Sequence, residues 1–217
     1  MRPATWPLLL AVFAASFVGA CSNEVRSERP LFTARDSPGL PKFKAGLWLG
    51  VDKECEVDSS RPATQWPDCV TALVFGPKGL EAGYDNGRLT PLPKLLPYDM
   101  VFAGGDPIVV QYRTSKPEPG EPYRYMALGP KASDPDGQVT AVIWWPVVCG
   151  PLGAKGRDTT PSEVATRPVT TEPWPGLEVR GENCFARNPA SVRFAAKASE
   201  AMADAPPTLR WLRAGRR

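Results

Sequence analysis

Four carboxylates, Asp52, Glu54, Glu56 and Asp58, stand at alternate positions around Cys55. On an extended segment that spacing turns all four to one side, an arrangement suited to a calcium site or to the paired acids that cleave glycans. A solvated acidic loop edge competes with both and is preferred, because the twelve-residue oxygen-rich pattern of an EF-hand is absent. Asp134, Asp136 and Gly137 look like a calcium loop in miniature, and beside Pro135 their ordinary use is a turn. The chain contains no histidine. Without imidazole there is no Ser-His-Asp triad, no Cys-His pair and no histidine-held zinc. Carboxylate chemistry on glycans, or a serine activated by lysine, would survive that exclusion, but neither shows a motif. No catalytic residue, metal or cofactor is therefore expected.

A different chemistry is written into residues 1–21. Arg2 gives a short positive start, and residues 6–18 form an apolar run too short to span a bilayer of about 30 Å as a helix. Val18, Gly19, Ala20 and Cys21 follow in order. That quartet resembles the lipobox of bacterial lipoproteins. The resemblance implies that residues 1–20 are a signal peptide and are removed, that a diacylglyceryl group is carried on the Cys21 thiol, and that the new amine is acylated with a fatty acid such as palmitate. The competing reading is an ordinary secretory cleavage at the same bond, which leaves Cys21 unmodified. Each acyl methylene buried in a bilayer contributes about 0.8 kcal/mol, so two or three chains hold the protein at the membrane while the polypeptide stays outside it. Ser22 stands where enteric lipoproteins retained in the inner membrane carry aspartate. By that resemblance the protein is expected at the outer membrane, facing the periplasm.

Taking the first 20 of 217 residues away leaves 197, enough for one domain with a sizeable core. The whole chain carries a formal charge of +3, and loss of Arg2 leaves +2, which is no footprint of nucleic-acid binding. Proline is frequent at 26 residues, yet with 19 glycines it stays below the roughly 25–30% that marks a disordered chain. A loop-rich globular domain is expected. With Cys21 committed to lipid, Cys55, Cys69, Cys149 and Cys184 remain, an even set for an oxidising compartment, so two disulfides are expected. Four cysteines allow three pairings, and proximity along the chain favours Cys55 with Cys69 and Cys149 with Cys184. A four-cysteine metal site would call for CxxC pairs, which the chain lacks.

These groups need elements to place them. Residues 21–44 mix charges with Pro30, Pro38, Gly39 and Pro41 and show no apolar period, so they are expected as a lipidated N-terminus and flexible tether, with one globular domain over 45–217. Residues 45–50 and 70–75 read as strands, separated by an acidic, proline-containing loop. Asn86-Gly87, between residues 80–84 and 88–92, is a strong hairpin signal because both residues tolerate positive φ. Further strands are expected over 100–103 and 108–113, and over 123–128 and 139–148 around Asp134-Pro135-Asp136-Gly137. Residues 150–176 lose periodicity and read as a long excursion. A helix is predicted over about 189–204, with Asn188 as N-cap and Pro189 in the first helical position. Val192, Ala195, Ala196, Ser199, Met202 and Ala203 fall on one face of it and Arg193, Lys197, Glu200 and Asp204 on the other. Residues 208–212 return as a short strand.

The sum is an α+β domain: a mainly antiparallel β-sheet, stabilised by disulfides, with one C-terminal helix packed on it. Binding surfaces are sought among the tryptophans. Trp144 and Trp145 are neighbours in a strand and face opposite sides, so one belongs to the core while the other lines a groove or packs a second layer. Trp66 and Trp174 sit in proline-rich turns, where exposure is expected. Arg210, Arg213, Arg216 and Arg217 are either a solvated end or a contact to anionic lipid. The expected role is a non-enzymatic envelope protein that binds another envelope protein or a cell-wall component. Its alternative is a carboxylate-dependent enzyme on periplasmic glycan. Partners are thus the membrane, through Cys21, and an envelope protein or cell-wall glycan, with no nucleic acid.

Overall fold

The computed structural model describes residues 22–51, 55–67, 69–76, 79–85, 88–91, 98–114, 123–151, 169–202 and 208–215. Its strands are β1 (Ser22–Ser27), β2 (Gly46–Val51), β3 (Val70–Gly76), β4 (Gly79–Asp85), β5 (Arg88–Pro91), β6 (Tyr98–Ala103), β7 (Ile108–Thr114), β8 (Tyr123–Ser133), β9 (Val139–Pro146), β10 (Leu177–Arg180), β11 (Asn183–Ala186) and β12 (Thr208–Arg213). The helix α1 spans Pro189–Glu200. All twelve strands join one sheet in the order β10-β11-β1-β8-β9-β12-β2-β3-β4-β5, with β7 on the other side of β8 and β6 beyond it. Pairing is antiparallel throughout the named strands except between β1 and β11. The predicted α+β architecture, a mainly antiparallel sheet carrying a C-terminal helix, is the one the protein adopts.

Both faces of the sheet are apolar, and each therefore needs cover. Ala103, Val109, Ala127 and Trp145 form one cross-strand row over β6, β7, β8 and β9. They are buried with Val192, Ala195 and Ala196 of α1, none of the three with any exposed surface. On the same face a second row, Leu47, Val74 and Ala82, crosses β2, β3 and β4 and packs under Trp66 and Ala63. These two come from the loop between β2 and β3, which a Cys55–Cys69 disulfide closes. The opposite face carries Trp48, Val142 and Leu209, packed with Phe75. Phe43 stacks on Phe75 at 5.1 Å between ring centroids and closes that side.

From residue 22 on, where it is described, the expected tether over 21–44 is instead part of the fold, starting with β1 in the sheet. Val25 pairs with Cys184 of β11, and Arg26 pairs with both Phe185 of β11 and Arg124 of β8, so β1 bridges two parts of the sheet. Asn23 and Val25 have no exposed surface and Phe32 is 1% exposed. Residues 22–44 thus belong to the folded domain, which does not start near 45. The inward residues of β1 are Asn23, Val25 and Ser27, of which one alone is apolar, and a search for apolar alternation passes over them. Hydrogen bonds engage one oxygen of each buried polar side chain, while the Asn23 Nδ2 has no partner among the described residues. Thr170 N–H donates to Asn23 Oδ1 at 3.3 Å, and the Ser27 hydroxyl donates to the Arg29 carbonyl at 2.7 Å while bonding the Tyr125 hydroxyl. The following segment is held by Gln111, whose Oε1 accepts from Leu31 N–H at 2.7 Å and from Phe32 N–H at 3.0 Å.

The hairpin of β10 and β11 also falls outside the sequence-based expectations. Leu177 and Val179 alternate inward, and Gly181, at φ +59°, supplies the turn. For β4 and β5 the register Asp85↔Arg88 leaves Asn86 and Gly87 as the connection, as the Asn-Gly signal predicts; their conformation lies outside the described residues. The helix starts where expected, the Asn188 Oδ1 accepting from Ser191 N–H at 2.9 Å. It ends at Glu200, short of 204, and turns at Ala201.

Candidate functional site

The acidic set does not assemble into a site among the described residues. Asp52 and Glu54 lie outside them, and Glu56 is exposed. Asp58 makes a turn: its carboxylate accepts from Ser60 N–H at 3.1 Å and from the Ser60 hydroxyl at 2.6 Å, and pairs with Arg61 at 3.2 Å. The Ser60 hydroxyl beside it is the first reason its pKa lies below the usual carboxylate value. Asp134 does the same in the β8–β9 connection, accepting from Asp136 N–H at 3.1 Å and Gln138 N–H at 2.9 Å and pairing with Lys44 at 3.0 Å. Asp136 is exposed and Gly137 takes φ +74°. Among the described residues no three His, Cys, Asp or Glu side chains are grouped to hold a metal ion.

The four cysteines form the two favoured pairs, Cys55–Cys69 and Cys149–Cys184, with Cα separations of 5.9 and 5.8 Å. Cys21 lies outside the described residues. The tryptophans divide. Trp145 is 1% exposed and its Nε1–H donates to the Ala196 carbonyl at 2.9 Å, while Trp144 is half-buried against the opposite cluster. Trp66 departs from the expected exposure and is buried. Its Nε1–H donates to the Asp58 carbonyl at 3.2 Å, and the Arg213 guanidinium lies over its ring at 5.8 Å. The loop folds back on the sheet and uses this ring as its plug. Arg213 is thereby engaged, donating also to the Ser59 carbonyl at 2.8 Å. Arg210 is exposed, and Arg216 and Arg217 lie outside the described residues.

Trp174 differs from the others. Its ring is half-buried against the helix-side core and meets Phe194 edge to face at 6.3 Å, while its Nε1–H is buried without a partner among the described residues. Phe194 is 49% exposed, and with Leu89 it is one of the two large apolar side chains this open to solvent among the described residues. The sequence reading placed charged residues on that side of the helix and passed over Phe194, which sits between Arg193 and Ala195 without a period to flag it. Arg193 itself turns away, donating to the Gly104 carbonyl at 2.8 Å and lying over Phe32 at 5.1 Å.

The aromatic pair is positioned by the start of β1. Cys149 N–H donates to the Asn23 carbonyl at 2.8 Å, and the Cys149 carbonyl accepts from Trp174 N–H at 2.7 Å. Leu177 N–H then donates to the Trp174 carbonyl at 3.1 Å, which turns the chain into β10. At Gly176, φ is +79° and a Cβ would lie 2.6 Å from Ser191 Oγ, so glycine lets this turn press against α1. What the arrangement offers is an apolar contact surface of aromatic rings and prolines. Pro173 and Pro175 are exposed on either side of Trp174.

Compared with protein-family models, with curated proteins and with solved structures, the chain matches none.

Proposed function

We propose that the protein is a lipid-anchored envelope protein, held at the outer membrane on the periplasmic side through Cys21, and that its domain binds another envelope protein or a cell-wall component without catalysing a reaction. The observation that carries this reading is the pair of disulfides closing the β2–β3 loop and tying Cys149 to Cys184, which fits an oxidising compartment and agrees with the lipobox-like quartet ahead of Ser22. Of the carboxylates that the glycan-cleaving alternative would use, Asp58 supports the non-enzymatic reading, since it is engaged in building a turn with Ser60 and Arg61. Contact with the partner falls to the proline-rich loops and exposed side chains between strands, where rigid turns present fixed surface at low entropic cost.

The test has two parts. Intact mass of membrane-extracted protein is expected to match a chain starting at Cys21 plus its acyl groups; a mass equal to the unmodified chain from Cys21 overturns the anchor. A cross-linked pull-down of tagged protein from native envelopes is expected to recover a reproducible protein partner or cell-wall glycan. Release of cell-wall fragments by the purified protein overturns the non-enzymatic reading.

A further inference from the structure

We propose that, in the lipid-anchored protein, the face carrying Trp174 and Phe194 rests on the bilayer interface, so that the domain lies against the membrane instead of standing away from it. The inference builds on the anchor at Cys21 given above. Two independent features carry it.

The first is the length of chain between lipid and fold. Cys21 is followed directly by Ser22, where β1 begins, and Asn23 is already without exposed surface. A flexible linker of n residues reaches about 5–6 Å times the square root of n, and here no linker residue remains. Lipid on Cys21 therefore holds the surface around the start of β1 at headgroup depth.

The second is what that surface carries. Two main-chain hydrogen bonds lead from Asn23 through Cys149 to Trp174, whose ring meets the exposed Phe194. Along α1 and its C-cap, Ala190, Phe194, Lys197 and Ala201 are exposed, and their spacing of three and four residues puts them in one stripe. The stripe is small and apolar apart from Lys197, whose stem can lie along an apolar surface with its ammonium among phosphates. Lys197 also bonds Asp106 at 3.3 Å and Glu200 at 3.0 Å, so its charge is partly balanced where it stands. Aromatic side chains favour the membrane–water boundary, and a helix face with such a ring lies in that plane, about 5–10 Å into the headgroup and acyl boundary. One corner is fixed by lipid and the second by Phe194, which sets the orientation of the domain.

The experiment uses the lipidated full-length protein in vesicles of phosphatidylethanolamine and phosphatidylglycerol, with a fluorophore on a single added thiol. Ala190→Cys places it on the stripe. Asp136→Cys places it in the β8–β9 turn, beyond the end of β9 that lies about 20 Å from Trp145. Relative to an unlipidated Cys21→Ser chain, iodide quenching at position 190 is expected to fall at least about threefold on the vesicles, as headgroup burial requires, while quenching at position 136 stays unchanged. Phe194→Glu is expected to restore quenching at position 190 with the acyl groups still present by mass and the thermal midpoint unchanged. An eight-residue Gly-Ser insert after Cys21, reaching about 15 Å, is expected to do the same. Equal quenching at both positions, in protein whose mass includes the acyl groups, overturns this inference and leaves the anchor standing. A mass without acyl groups overturns the anchor and this orientation together.

Discussion

Trp145 serves two purposes at one position. Its ring fills the layer between β9 and α1 at 1% exposure, and its Nε1–H donates to the Ala196 carbonyl. Trp145→Phe keeps most of the volume and loses the bond, so a loss of about 1–2 kcal/mol is expected in urea unfolding. Trp145→Ala also opens a cavity and is expected to cost about 3–5 kcal/mol. A smaller loss for Trp145→Ala than for Trp144→Ala would mean that the helix is not seated on this ring. Asp134 gives a prediction in pH. Its carboxyl is held below its ordinary value of 3.8, first by the Lys44 ammonium and then by the Gln138 N–H. A carboxylate depressed in the folded state contributes stability above the unfolded value and loses it as pH falls through the folded one. The stability gap between wild type and Asp134→Asn is therefore expected to be full above about pH 5 and to close below pH 4; a gap that persists at pH 2 would assign Asp134 a role other than its charge. At this scale sequence reading worked where a residue's type limited its use, as with the paired cysteines and the Asp134 turn. It placed Trp66 wrongly and missed Phe194, because exposure is decided by what folds over a side chain from elsewhere.

The elements test how far local pattern reaches. The two disulfides close spans of different length, with sequence separations of 14 and 35. In the chain-entropy account the longer loop contributes more, about 4 kcal/mol against about 3. Cys149 and Cys184 are also fully buried among the helix-side core residues, whereas Cys69 is exposed. Replacing Cys149 and Cys184 by alanine is expected to cost more stability than replacing Cys55 and Cys69, read as midpoints of denaturant unfolding, and the reverse order would place the β2–β3 loop at the centre of the fold. Strands such as β3, β7 and β9 were legible because apolar β-formers run through them, and α1 because a cap, a proline and an apolar face agree over a dozen residues. β1 and the pair β10 and β11 were not. β1 buries Asn23 and Ser27 in place of apolar residues, and the other two are four residues each, too short for alternation to stand out.

For the molecule as a whole, the position of β1 decides what counts as the domain. It lies between β11 and β8 in the sheet order, and its Val25 packs in the same cluster as Trp145, Cys149, Cys184 and Val192. If residues 22–44 were only a tether, a chain starting at residue 45 would fold as well as one starting at Ser22. Removing them instead unpairs β11 from the rest of the sheet, deletes Val25 and Phe32 from the helix-side core, and leaves the Gln111 carboxamide buried without the backbone of residues 31 and 32. Two lost large side chains at about 2–5 kcal/mol each match the whole stability of an ordinary domain, about 5–15 kcal/mol. The shortened chain is expected to lose its near-ultraviolet circular dichroism and to exchange the amides of β8, β9 and β11 rapidly, while a chain starting at Ser22 retains both. Retention of protected amides in β11 by the shortened chain would show that β10, β11 and α1 fold without β1. In that case lipid on Cys21 would pull on a detachable strand. With β1 integral to the sheet, a lipid carried on Cys21, as proposed above, would pass any force straight into the core.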